Sequence, residues 1–240
     1  MIDSLRTVVV GPSDAPLVVV MLHGFMMTPE DISPFARSIG VPALWLFPEG
    51  PIAARPVGRA WWDMDPAARA AALARGARDF AHQSPPDLPL ARTALAKYVD
   101  AAAALAQNRP LVVGGFSQGA MLLVDLLVHE PRPLAGIFLL SSSRVAVAAW
   151  PSATEPLSGM PALVSHGRTD ADLAFASGEA LRRALTDRGA AVTWLPFEGG
   201  HEIPLQVWRS VRKFLVARIP PSRRGSAASS GSSEGVTPDL

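Results

Sequence analysis

An α/β sandwich built on a mostly parallel sheet is the fold class that this 240-residue chain predicts. Three observations predict it. Short, wholly apolar runs alternate along the chain with longer stretches of helical spacing, as happens where helices cover both faces of a sheet. Apolar residues make up 49% against 18% charged, ample for a large core. The length suits one α/β domain.

Residues 7–10 (Thr-Val-Val-Val) and 17–22 (Leu-Val-Val-Val-Met-Leu) read as strands, the second apolar at every position. Thr28, Pro29, Glu30 and Asp31 mark a helix start, with a hydroxyl cap, a proline in the first turn and acids at the positive dipole end. A third strand follows over 43–47. Residues 48–87 are less regular: they carry Trp61-Trp62-Asp63 and a short helix over 66–81. That is too little for a second domain, so the segment reads as an excursion over one end of the sheet. An alanine-rich helix over 89–107 spaces Leu90, Leu95, Val99 and Leu105 for one face. Strand 111–114, helix 118–129, strands 134–140 and 162–165, helix 172–188, strand 192–196 and helix 204–218 complete the alternation. Residues 220–240 are rich in Ser, Gly and Pro and cannot bury enough surface to offset chain entropy. A folded domain over 1–219 and a disordered tail over 220–240 are therefore expected.

Composition removes whole classes of function. Lys and Arg number 22 against 21 Asp and Glu, with the basic residues scattered, which argues against nucleic acid or an anionic membrane as the main partner. The chain has no cysteine, so disulfides, thiolate metal sites and a cysteine nucleophile are excluded. A cytoplasmic protein without a signal peptide or membrane span is the expectation.

In sheets of this kind the functional residues follow the strands, at their carboxyl ends. Gly115-Phe116-Ser117-Gln118-Gly119 occupies such a position, between the strand at 111 and the apolar helix opening at Ala120. A Gly-x-Ser-x-Gly turn in that context lifts the serine clear of the sheet and aims the Gln118 amide at a developing oxyanion. The same pattern at Gly231–Gly235 has no strand before it and no helix after it, and is discarded.

A serine hydroxyl needs a histidine base held by an acid, in the chain order serine, acid, histidine. Of five histidines, His23 and His82 precede Ser117, His129 ends a helix, and His166 precedes the best acid. His201, in Glu198-Gly199-Gly200-His201-Glu202, follows the last strand and fits the base. Asp170 and Asp172 both lie in the loop after strand 162–165. Asp170 is preferred, because Asp172 sits where it would cap the next helix. A second oxyanion donor is expected from the loop after strand 17–22, where Gly24 permits close approach and Phe25 carries the natural N–H. Met26, Met27, Trp61 and Trp62 supply thioether and indole surface suited to an acyl chain.

Together these residues resemble the α/β-hydrolase superfamily, and within it the phospholipase/carboxylesterase family that includes the acyl-protein thioesterases. The matching pieces are Leu22-His23-Gly24, Arg59-Ala60-Trp61-Trp62-Asp63, Gly114–Gly119, His166-Gly167-x-x-Asp170 and Gly200-His201-Glu202-Ile203-Pro204. The resemblance implies an α/β-hydrolase fold, with Ser117 as nucleophile, Asp170 as acid, His201 as base, and Phe25 and Gln118 as oxyanion donors. It also implies action on small-molecule esters or thioesters with no metal or organic cofactor. Met26-Met27 after the His-Gly-x loop and Ala120 after Gly119 depart from the family pattern. The modest length before residue 111 suggests no large cap domain, hence an open site for small or medium acyl groups. The rival readings are a non-catalytic ligand-binding protein on the same fold, or another serine hydrolase such as a lactonase, lipase or peptidase.

Overall fold

The computed structural model describes residues 5–152 and 157–221, so the tail expected over 220–240 lies almost wholly outside the described residues. One seven-stranded sheet organises the chain: β1 (Thr7–Val10), β2 (Val18–Leu22), β3 (Leu44–Pro48), β6 (Leu111–Phe116), β7 (Gly136–Leu140), β8 (Pro161–Gly167) and β9 (Ala191–Phe197). Their spatial order is β1-β3-β2-β6-β7-β8-β9. Every neighbouring pair is parallel except β1 with β3. β4 (Ile52–Ala53) and β5 (Arg59–Ala60) form a separate antiparallel ribbon.

The apolar runs are continuous because both faces are covered. In β2 the side chains of Val18, Val20 and Leu22 enter one core, while Val19 and Met21 enter the other. The first core is closed by α4 (Leu88–Ala106), α5 (Gln118–His129) and α6 (Phe175–Asp187). The second is closed by α1 (Pro29–Ile32), α2 (Pro34–Ser38) and α7 (Leu205–Val216). α1 starts where Thr28 predicts, and the Thr28 N–H donates to Asp31 Oδ2 at 2.6 Å.

Three helices differ from expectation. In α4 the buried stripe is Leu88, Ala91, Leu95, Val99, Ala102 and Ala106, whereas Leu90 and Leu105 face outward. Small alanines line the buried face because the helix packs closely there, and the two larger leucines fall off that stripe. α3 runs only over Pro66–Ala74, capped by Asp65 Oδ1 on the Ala68 amide at 2.7 Å. It cannot continue to 81 because Gly76 turns the backbone to φ +122°. α6 begins at Phe175, three residues beyond Asp172, which therefore does not cap it.

Residues 49–87 lie over the carboxyl end of the sheet and hold the ribbon and α3. Among the described residues no large cap domain is present, and no helix is long and apolar enough to cross a membrane.

Candidate active site

The predicted residues converge at the carboxyl end of the sheet because each follows a parallel strand. Ser117 comes immediately after β6, Asp170 three residues after β8, His201 four after β9, and Phe25 three after β2. The register Leu22↔Gly115 sets the β2 and β6 loops side by side.

Ser117 adopts φ 52°, ψ −118°, a conformation disfavoured for a residue with a side chain, and its N–H donates to Leu140 O at 2.9 Å. The sharp turn requires bare backbone on both sides. A Cβ at Gly115 would lie 2.6 Å from the Ala120 nitrogen, and one at Gly119 would lie 2.6 Å from the His23 carbonyl oxygen. The Ser117 hydroxyl is 2.9 Å from His201 Nε2, and His201 Nδ1 is 2.8 Å from Asp170 Oδ2. With its Nδ1–H directed at a carboxylate, His201 presents Nε2 as acceptor to the serine O–H.

Asp170 is buried, and its second oxygen is equally engaged. Oδ1 accepts the amides of Asp172 and Leu173, both at 2.8 Å, so the carboxylate plane is fixed. His166 lies behind it, with Nε2 3.4 Å from Asp170 Oδ2 and 3.0 Å from Leu173 O; burial pushes its pKa down. The His201 loop is tied to its neighbours through Thr169, whose amide and hydroxyl both donate to Gly199 O at 3.0 Å, and through Ser141 Oγ, which donates to Glu202 O at 3.2 Å. The Phe116 ring lies 4.9 Å from the imidazole of His201.

Phe25, Gln118, Ser117 and His201 line one cavity of about 170 Å³. The amides of Phe25 and Gln118 donate to no acceptor among the described residues. The Gln118 side chain does separate work: Oε1 accepts the Trp61 N–H and Nε2 donates to Trp62 O, both at 2.9 Å.

The four predicted pocket walls divide. Met27 and Trp62 line the cavity. Trp61 is not among its lining residues: its indole is stacked on His23 at 5.2 Å and donates Nε1–H to the His23 carbonyl. Met26 is likewise not among them; it sits at φ 64° with its amide bonded to Arg59 O, anchored to the ribbon. His23 itself is a buried strut. Its Nδ1–H donates to Gly24 O at 2.7 Å and its Nε2 accepts the Gly50 amide at 2.9 Å, while burial lowers its pKa to about 4.

Sequence reasoning passed over the rest of the lining: Met64, Phe80, Met121 and Leu173, and two arginines, Arg69 and Arg78. Asp172, the alternative acid, faces those arginines and makes no hydrogen bond to a histidine; its Oδ2 is 2.8 Å from Arg69 Nη2 and its Oδ1 is paired with Arg78 Nη2. Only the placing of residues 48–87 over the sheet end pointed this way, and it did not single out either arginine. Among the described residues no group of three or more metal-ligating side chains is gathered.

The family model described as Phospholipase/Carboxylesterase matches residues 5–219. The chain superposes on a carboxylesterase from Mesorhizobium loti with a TM-score of 0.72 at 23% identity, covering 88% of this chain and 94% of that one. A Bacillus cereus carboxylesterase gives a TM-score of 0.71 at 21% identity, with 90% and 95% covered. Esterase PE8 gives 0.71 at 22% identity, with 89% and 99% covered. These structures share the fold, with nearly their whole length represented here.

Proposed function

The chain belongs to the phospholipase/carboxylesterase family of α/β hydrolases, and from that premise we propose that it cleaves carboxylic esters or thioesters of small to medium acyl groups through an acyl-enzyme on Ser117. One observation carries the reading. The hydroxyl of Ser117, the imidazole of His201 and the carboxylate of Asp170 form a continuous chain of hydrogen bonds at 2.9 and 2.8 Å.

In this scheme Ser117 Oγ attacks the carbonyl carbon as His201 Nε2 takes its proton. Asp170 holds the ring and stabilises the imidazolium. The oxyanion is met by the Phe25 and Gln118 amides, with Gln118 at the positive end of α5. Collapse expels the alcohol or thiol, which leaves with the proton from Nε2. Water then attacks the acyl-enzyme, giving its proton to Nε2, and the acid departs as Ser117 regains a hydrogen.

The experiment is hydrolysis of p-nitrophenyl esters from acetate to palmitate by wild type and Ser117→Ala. We expect activity at short to medium chains, with kcat reduced by roughly 10⁴-fold or more in the variant. Equal rates in wild type and variant would overturn the assignment. Silence across the series from a folded wild-type protein would favour a non-catalytic binding protein.

A further inference from the structure

We propose that the cavity beside Ser117 selects substrates whose acyl group ends in a carboxylate, with Arg69 and Arg78 as its receptor. The proposal rests on the serine-hydrolase reading for the position of the scissile bond.

Arg69 and Arg78 line the same cavity as Ser117 and His201. The Arg69 guanidinium lies over the Phe25 ring at 5.8 Å, and so sits beside the residue whose amide faces the oxyanion in the proposed mechanism. Both arginines also border an adjoining cavity of about 260 Å³ under α3, and the two chambers share Trp62, Met64 and Phe80 as well. The space beside the serine therefore combines apolar thioether and aromatic surface with two guanidiniums. That combination describes an aliphatic acyl group with an anionic end.

The charges on this wall do not cancel. Asp172 is the one carboxylate among the described residues lining the inner cavity, facing two arginines, with the Asp170 charge behind the wall also acting on Arg78. The Asp172 carboxylate occupies one terminal nitrogen of each, its carbonyl oxygen accepts Arg78 Nε at 3.4 Å, and a guanidinium offers five N–H donors. The Arg69 Nε is buried and finds no acceptor among the described residues. Arg78, with its side chain 9% exposed, directs Nη1 at only the Met64 sulfur, 4.0 Å away. Burial, then the neighbouring Arg69 charge, push the Arg78 guanidinium down to about 10, so it remains a cation at neutral pH. The outer chamber does carry Asp63 and Asp65, but each has its own partner. Asp65 caps α3, and Asp63 is 3.9 Å from Arg55. A planar carboxylate matches the fork geometry that the two arginines offer.

The test compares mono-p-nitrophenyl adipate and suberate with p-nitrophenyl hexanoate and octanoate, matched in chain length. We expect the carboxylated esters to be preferred in kcat/KM by roughly tenfold or more, and the preference to fall at least tenfold in Arg69→Gln. Arg69 is the residue to change first, because Arg78 is buried and its loss endangers folding; thermal unfolding of Arg69→Gln checks that it folds. A preference for the neutral esters, or the same ratio in wild type and variant, would overturn the proposal. Calorimetric titration of adipate into Ser117→Ala protein separates this site from the catalytic reading. Binding that weakens when Arg69→Gln is added supports the receptor even if no ester is turned over, and absence of binding overturns it.

Discussion

The side-chain oxygen of Gln118 accepts the backbone N–H of Trp61 at 2.9 Å, across 57 positions of sequence. Its amide nitrogen donates to Trp62 O at the same distance, so one buried side chain splints the segment whose indole walls the cavity. Gln118 thus contributes twice: its backbone to the elbow, its side chain to the opposite wall. In Gln118→Ala the elbow remains, but the Trp61 N–H and Trp62 C=O are left buried without partners, at about 1–3 kcal/mol each. We expect the melting temperature to fall by roughly 5–10 °C. KM for esters should rise more than kcat falls, since Trp62 lines the cavity and does not touch the reacting atoms in the proposed scheme. Unfolding scans and a KM-against-kcat comparison check this; an unchanged KM would remove the positioning role.

Two acids two residues apart are assigned opposite consequences. Asp170→Asn keeps the size of the side chain but loses the charge that holds the His201 ring, and kcat should drop by roughly 10³–10⁴-fold with little loss of stability. Asp172→Ala leaves the His201 contact intact yet strands Arg78, which is nine-tenths buried, without its carboxylate. Breaking a buried pair from one side costs about 3–5 kcal/mol. Denaturant titrations beside ester kinetics separate the two. If Asp172→Ala were the inactive, stable variant, the roles would be reversed.

What could be read in advance was whatever local pattern decides. The seven strands, the Thr28 helix start and the elbow at Ser117 are local, because apolar runs, capping residues and paired glycines act on their own neighbours. The meeting of Ser117, Asp170 and His201 was legible through their order and their positions after strands, which topology brings together. The roles of Asp172, Trp61 and Met26 were not. Asp172 stands three residues before the true start of α6, and its partners come from the excursion about a hundred residues upstream. Trp61 and Trp62 are equivalent by type; only the contacts with His23 and the cavity tell them apart. Leu90 and Leu105 misled for a simpler reason, since the buried face of α4 runs through Ala91, Ala102 and Ala106 as well as through Leu88, Leu95 and Val99.

Acid sensitivity follows from the histidine struts. Burial lowers the pKa of His23 to about 4, below the ordinary value near 6.5. As pH falls through 6.5 the unfolded chain takes up this proton while the folded one does not. The stability associated with neutral His23 is therefore complete above pH 6.5 and is lost progressively down to pH 4. The loss comes to about 3 kcal/mol. His166, also lowered by burial, acts in the same direction. Urea unfolding at pH 7 and pH 4.5, wild type beside His23→Gln, reads this out. The variant should be the less stable at pH 7, and the gap should narrow at pH 4.5. A gap that stays constant with pH would show that His23 does not titrate as its burial requires.

The elbow stores strain that a pair of substitutions can measure. At φ 52°, ψ −118° a residue with a Cβ is disfavoured by about 1–3 kcal/mol, whereas glycine adopts the conformation freely. Both Ser117→Gly and Ser117→Ala remove the hydroxyl and its contact with His201, so their difference isolates the backbone. At an ordinary position alanine is the more stable of the two by about 0.4–1 kcal/mol, because glycine gives the unfolded chain more freedom. At position 117 the order should invert, with Ser117→Gly the more stable by about 1 kcal/mol and melting roughly 2–4 °C higher. Both variants should be inactive. If alanine proved the more stable here as elsewhere, the elbow would hold no strain, and the serine would owe its placement to the Gly115 and Gly119 contacts alone.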